Sequence, residues 1–202
     1  ARGRSGLKSL TAIMNCIPKV QCDKEILSHP VKEARLWVDG RRRAYPTSHY
    51  GFKTKIYHLT DSQQMTDPGL LLRYLHNEGW KVIYLRRTDL LRQVLSSMVL
   101  ARDTKSHTHY VGDQTPVRLA LTVKPATVLA GLRARVELDE RELATLDGVP
   151  HTAITYEEDL IDADAQQRTL DRMSSYLGVP DAIASTQRIR INVGPLRDLV
   201  TN

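Results

Sequence analysis

The stretch Lys81-Val82-Ile83-Tyr84-Leu85-Arg86-Arg87-Thr88-Asp89-Leu90-Leu91-Arg92-Gln93-Val94-Leu95-Ser96-Ser97 decides how the rest of the chain reads. Its opening residues are β-branched and aromatic and follow Gly79, which is the composition of a strand. From Leu90 onward, Leu90, Leu91, Val94, Leu95, Met98 and Val99 recur at helical spacing and predict a helix with those residues on its buried face. Four polar residues, Arg86 to Asp89, join the two. Strand, polar junction and helix form the repeating unit of an α/β sheet, and in open sheets of that kind the junctions line up along one edge, where ligands bind.

Outward from this unit the same alternation continues. Leu7, Leu10, Ile13, Met14 and Ile17 keep helical spacing until Pro18. Val20-Gln21-Cys22 reads as a short extended piece, and Tyr50 to Leu59 as a strand and its exit. Leu70 to Leu75 predicts a helix punctuated by Gly79. Helices are expected over 126–146 and 163–177, with a strand at 151–155 between them that runs into Tyr156-Glu157-Glu158-Asp159-Leu160. Arg41-Arg42-Arg43 follows Asp39-Gly40 and precedes Pro46, so it reads as a solvated loop. There is no internal repeat and no low-complexity tract, and one domain over 1–202 accounts for the length.

Composition narrows the class. Apolar residues are 41% and charged residues 26%, ordinary for a globular protein. No run approaches the roughly 18 apolar residues of a membrane span. Nothing at the start reads as a secretory signal, and the two cysteines, Cys16 and Cys22, are too few for a disulfide framework, so a cytoplasmic setting is expected. The net charge of +6 suits either a broad nucleic-acid surface or a pocket for a polyanionic small molecule. Aromatics are only 5%, and no basic segment interleaves them as a base-stacking platform would, which favours the pocket.

Two junctions carry groups that bind anions. Arg4-Ser5-Gly6-Leu7-Lys8-Ser9 opens the first helix, where unpaired backbone N–H groups and the positive dipole end attract phosphate. Gly6 permits close backbone approach, and Gly6 and Lys8 lack the spacing of a Walker loop. Only Ala1-Arg2-Gly3 precede it, where a buried strand normally leads into such a loop, so that strand is expected to be either truncated or unusual. At the second junction Arg86 and Arg87 end the strand, and a guanidinium fork matches paired phosphate oxygens. Ser96 and Ser97 follow about two turns into the helix.

Taken in order, the R-S-G loop, the apolar strand running into Arg-Arg, the serine nine residues after Arg87 and the later T-Y-E-x-D-L resemble the sulfotransferase family. The likeness is to its bacterial branch of trehalose 2-sulfotransferase-like, lipopolysaccharide and nodulation-factor enzymes. "CDKEIL", "YGFK" and "RINVGPLRDLVTN" look like further segments of that branch. The resemblance implies a P-loop-like three-layer sandwich, a central and mostly parallel sheet flanked by helices. It also implies transfer of a sulfuryl group from 3′-phosphoadenosine 5′-phosphosulfate to a hydroxyl of a carbohydrate, glycolipid or other small alcohol. By the same likeness Arg4, Ser5, Gly6, Leu7, Lys8 and Ser9 cradle the 5′-phosphosulfate, and Arg87 and Ser96 hold the 3′-phosphate, with Arg86 and Ser97 as substitutes. Tyr156 lies near the adenine and Arg190 closes over the nucleotide. Homodimers are common among such enzymes.

Sulfuryl transfer needs an in-line attack, neutralised charge and a base for the acceptor hydroxyl. Arg4 and Lys8, with Lys53, are expected to stabilise the charge electrostatically without a metal: the sequence has no H-x-x-x-H or C-x-x-C pair, and His107 and His109 are the only close histidines. The resemblance implies Glu25, the glutamate after the short Val20-Gln21-Cys22 piece, as that base; apolar neighbours would raise its pKa, and Asp23 is the fallback. His107, His109 and Tyr110 fall in a polar stretch that reads as a solvated loop beside the acceptor. The rival readings are a P-loop-like kinase or nucleotide-binding protein, a basic nucleic-acid-binding module, and a sulfotransferase-like fold used for binding alone.

Overall fold

The computed structural model describes residues 6–45, 49–102, 121–185 and 200–201. The elements are α1 (Leu7–Met14), β1 (Val20–Asp23), α2 (Ala34–Ala44), β2 (His49–Phe52), a π-helical turn (His58–Ser62), α3 (Pro68–Asn77), β3 (Val82–Arg86) and α4 (Leu90–Arg102). They continue with β4 (Leu121–Thr122), α5 (Pro125–Thr145), β5 (His151–Thr155), the single turn α6 (Tyr156–Asp159), α7 (Ala163–Leu177) and β6 (Val200–Thr201). Among the described residues the strands join as three parallel pairs, β1–β2, β3–β5 and β4–β6. Parallel neighbours require a crossover, and helices supply it: α2 between β1 and β2, α4 and α5 between β3 and β5. The architecture is α/β, small parallel sheets flanked by helices. Among the described residues no helix is long and apolar enough to cross a membrane.

The registers position everything that follows. Asp23 pairs with Phe52, and Arg86 pairs with Thr155. Since the strands of each pair run the same way and end level, the residues leaving them emerge side by side. Glu25 therefore comes out beside Lys53, and Arg87 beside Tyr156.

Two apolar clusters hold these pairs. The first joins Leu10, Ile13 and Met14 of α1 to Leu85 of β3, Ile154 of β5 and Leu170 and Met173 of α7. The second joins Ala34 and Val38 of α2 to Leu71 and Leu75 of α3, with Leu27 and Leu59 between them. Each fully buried side chain of this kind contributes about 1.5–3 kcal/mol. Asn15 ties α1 to β1: the Cys22 N–H donates to its Oδ1 at 2.6 Å, and its Nδ2 donates to the Cys22 carbonyl at 3.3 Å. Gly131 of α5 lies against Val94 of α4, where a Cβ would stand 2.8 Å from Cγ1, so these helices approach more closely than any larger residue allows.

Three expectations are corrected. Arg41, Arg42 and Arg43 are not a loop but the last turn of α2, where cations meet the negative end of the helix dipole. Buried Ala34 and Val38 anchor that helix, and Glu33 caps it through Arg35 N–H. The strand expected from Tyr50 stops at Phe52, and the chain then coils into the π-helical turn. Leu91 is 39% exposed, so the buried face of α4 centres on Val94 and Leu95.

Ile154, with no exposed surface, holds β5 against α1 and α7. Ile154→Ala is expected to cost about 2–5 kcal/mol in urea unfolding, whereas Leu36→Ala, at a position 70% exposed, changes stability by about 0.5 kcal/mol or less.

Candidate functional site

Gly6 caps the N-terminus of α1 in the left-handed region at φ 86°, and its carbonyl accepts the N–H groups of Ser9 and Leu10. A Cβ at this position would collide with Cδ2 of Tyr156 and stand 2.7 Å from Cε2. Glycine is thus required twice, by backbone conformation and by the ring lying on it. Tyr156 follows β5 directly, so the parallel register brings it to the end of β3. There the Arg87 guanidinium lies 4.3 Å from the centre of its ring.

Arg87 is 7% exposed in its side chain, and a cation so buried requires a partner. Glu157 provides one: Arg87 Nε donates to Oε1 at 2.9 Å, while Oε2 accepts from Thr88 N–H at 3.0 Å and Thr88 Oγ1 at 3.2 Å. Burial alone would push the Glu157 carboxyl up, but Thr88 and Arg87 together hold it below the usual carboxylate range. Asp89, the alternative partner of Arg87 in sequence, instead pairs with Arg92. The exposed Arg86 donates to Thr155 Oγ1 at 3.2 Å, and Asp159 accepts the Thr155 N–H at 2.7 Å. Every lettered position of T-Y-E-x-D-L thereby has a role at this junction: Leu160, its last residue, is 2% exposed in the first core.

Ser96 is buried on α4. Ser97 donates its hydroxyl to the Gln93 carbonyl one turn back at 2.9 Å. Leu7 and Ser9 are half-buried and Lys8 is exposed at the start of α1.

The other parallel pair builds a second polar cluster. Glu25 Oε1 lies 3.9 Å from Lys53 Nζ and 2.9 Å from Lys55 Nζ. The buried His58 brings Nε2 to 4.0 Å from Oε2, and its Nδ1 lies 3.3 Å from the Lys55 amide nitrogen. The raised pKa expected of Glu25 is corrected. Burial pushes it up, but Lys55, Lys53 and His58 outweigh burial and hold the carboxyl low. Asp23, the fallback base, is committed to Arg41 and also accepts from Tyr50 OH at 3.2 Å; burial acts upward on it, and Arg41 with the Lys24 amide brings it down.

A cavity of about 160 Å³ lies between the two clusters, walled by Leu7 of α1, Lys55 and Tyr57, Tyr84 and Leu85 of β3, and Arg135, Leu138 and Glu142 of α5. It borders the helix that starts at Gly6 and the lysine that holds Glu25. The carboxyl with a raised pKa is here: burial lifts Glu142, which accepts from Arg135 at 3.2 Å and from Tyr84 OH at 3.4 Å.

Arg4, Ser5, Arg190, His107, His109 and Tyr110 lie outside the described residues. Among the described residues no group of three or more His, Cys, Asp or Glu stands together as a metal site would. Three residues of the site escaped the sequence reading. Glu157 was within a motif already singled out, and its place after a strand parallel to the one ending in Arg87 was the available signal. Lys55 repeats Lys53 two residues on, and only the end of β2 at Phe52 makes it the nearer partner of Glu25. Glu142 gave no local signal, because its burial comes from the packing of α5 on β3. No protein-family model, curated protein or solved structure matches this chain.

Proposed function

We propose that this chain is a sulfotransferase that moves a sulfuryl group from 3′-phosphoadenosine 5′-phosphosulfate to an acceptor hydroxyl, on a P-loop-like three-layer sandwich. The observation that carries this reading is the unbroken contact from the Gly6 backbone through the Tyr156 ring to the Arg87 guanidinium. It brings the start of α1 and the end of β3, the two anion-binding junctions, to one place. A ligand with phosphate at both ends of one nucleoside fits that placement.

The residues divide the work as follows. The first-turn amides of α1, with Arg4, Ser5, Lys8 and Ser9, would take the 5′-phosphosulfate at the positive end of the helix dipole. Arg87, held in place by Glu157, would take the 3′-phosphate, and Ser96 would add a hydroxyl; a guanidinium oriented beforehand loses little entropy on binding. Tyr156 presents ring surface to the adenine side, and Arg190 would close over the nucleotide. The acceptor would enter the cavity walled by Leu7, Tyr84 and Arg135. Glu25, ionised at neutral pH, accepts the proton of the attacking hydroxyl as the oxygen–sulfur bond forms and the bond from sulfur to the 5′-phosphate oxygen breaks. Lys53 and Lys55 stabilise the charge that gathers on the oxygens. A carboxylate held low by lysines is a weaker base than a buried one, so positioning and charge neutralisation supply most of the acceleration.

Three outcomes test this. In thermal melts, 3′-phosphoadenosine 5′-phosphate is expected to stabilise the chain more than ATP with magnesium does, and Arg87→Ala to abolish the difference; preference for ATP with magnesium would favour a kinase, and salt-sensitive binding of duplex DNA a nucleic-acid module. Glu25→Gln is expected to lower turnover by roughly 10²–10⁴-fold with nucleotide affinity little changed. Since the base must be unprotonated, the rate should rise with pH only below the ordinary carboxylate value of 4.5 and stay level above it. An acidic limb above 4.5 that disappears in Glu142→Gln would transfer the role to Glu142.

A further inference from the structure

Helix α5 is 21 residues long, about 31 Å, and none of its side chains is fully buried. Its inner side is occupied: Gly131 lies against Val94, Arg135 pairs with Asp139 and Glu142, and Leu138 and Glu142 wall the cavity. Its outer side is not a polar helix surface. Leu129, Val136 and Leu143 are 55%, 45% and 54% exposed, and they stand seven residues apart. A single exposed leucine is ordinary, but seven residues is close to two turns, so these three form one line along the helix, with the half-buried Leu132 on its inner flank. Exposed Arg133 and Glu140 flank the outer edge, again seven residues apart.

This is the first core position of a heptad sustained through three repeats, with opposite charges at the adjoining edge position. We propose that α5 is the interface of a homodimer in which a second copy lays its own α5 antiparallel across the first, with the two-fold axis at Val136. The charges select this arrangement. With Val136 on the axis, Leu129 meets Leu143 of the second copy, Arg133 meets Glu140 of the second copy, and both contacts occur twice. A parallel pair would set Leu129 on Leu129 and bring Glu140 toward Arg135, which Asp139 and Glu142 already hold. Edge charges add little affinity at an exposed rim, but they fix orientation and partner. A two-fold contact of this kind is closed and adds no third copy. The interface lies on the far side of α5 from the cavity, so it stands or falls separately from the proposed reaction.

The test is the mass of the full chain by sedimentation equilibrium. A dimer is expected, with Arg133→Glu and Glu140→Arg each weakening it by about tenfold or more, and the double reversal restoring it. Circular dichroism spectra should be unchanged in all three, since the positions are exposed. Crosslinking reads the geometry: in a Cys16→Ser, Cys22→Ser background, Val136→Cys is expected to oxidise to a disulfide dimer. Leu129→Cys should not crosslink alone but should when mixed with Leu143→Cys. A monomer, a dimer indifferent to both charge reversals, or self-crosslinking of Leu129→Cys would each overturn the proposal.

Discussion

A nearly buried guanidinium has to be neutralised, and at Arg87 that requirement organises the candidate site. Removing such a charge from water costs several kcal/mol unless it is paired and hydrogen-bonded. Glu157 pairs with it, Tyr156 lies against its face, and Thr88 engages the remaining carboxylate oxygen. Neither Glu157 nor Tyr156 is near Arg87 in sequence. They reach it because β3 and β5 are parallel and in a register that sets Arg86 opposite Thr155. Shifting that pairing by one residue would turn Tyr156 away and leave the cation unpaired. The ring that covers Arg87 also lies on Gly6, so the start of α1 is fixed by the same contact.

Much of the fold was legible in the residues. Helix α7 and strand β5 carry clear periodicity and clean punctuation, and their bounds match the sequence reading at both ends. Helix α2 was less legible, because Gly40 and three arginines in succession have the local composition of a loop. It is the burial of Ala34 and Val38 against α3 that makes a helix there. The site divides the same way. Gly6, Arg87, Tyr156, Glu25 and Lys53 were readable as residues of the right type at strand ends. The pairings were not, since whether Arg87 meets Asp89 or Glu157 depends on strand register. The sign of the Glu25 shift was also hidden, because it is set by Lys55 and Lys53 just past the end of β2 and by His58 at the start of the π-helical turn.

Helix α5 joins two features of the molecule. Its inner face walls the cavity with the half-buried Glu142 and its ion-paired arginine, and its outer face carries the line of exposed Leu129, Val136 and Leu143. Gly131 lets α5 pack closely on α4, and Glu142 reaches Tyr84 of β3. A helix held this way by one side chain network and one glycine contact is a rigid platform for whatever meets its other face.

The most direct measurement is phosphorus NMR of 3′-phosphoadenosine 5′-phosphate on the folded chain, where each end of the ligand has its own resonance. If separate groups grip the two ends, both resonances shift on binding, Arg87→Lys alters the 3′ signal alone, and Lys8→Ala alters the 5′ signal alone. Binding that moves neither resonance, or variants that both act on the same one, would contradict a site built from the start of α1 and the end of β3.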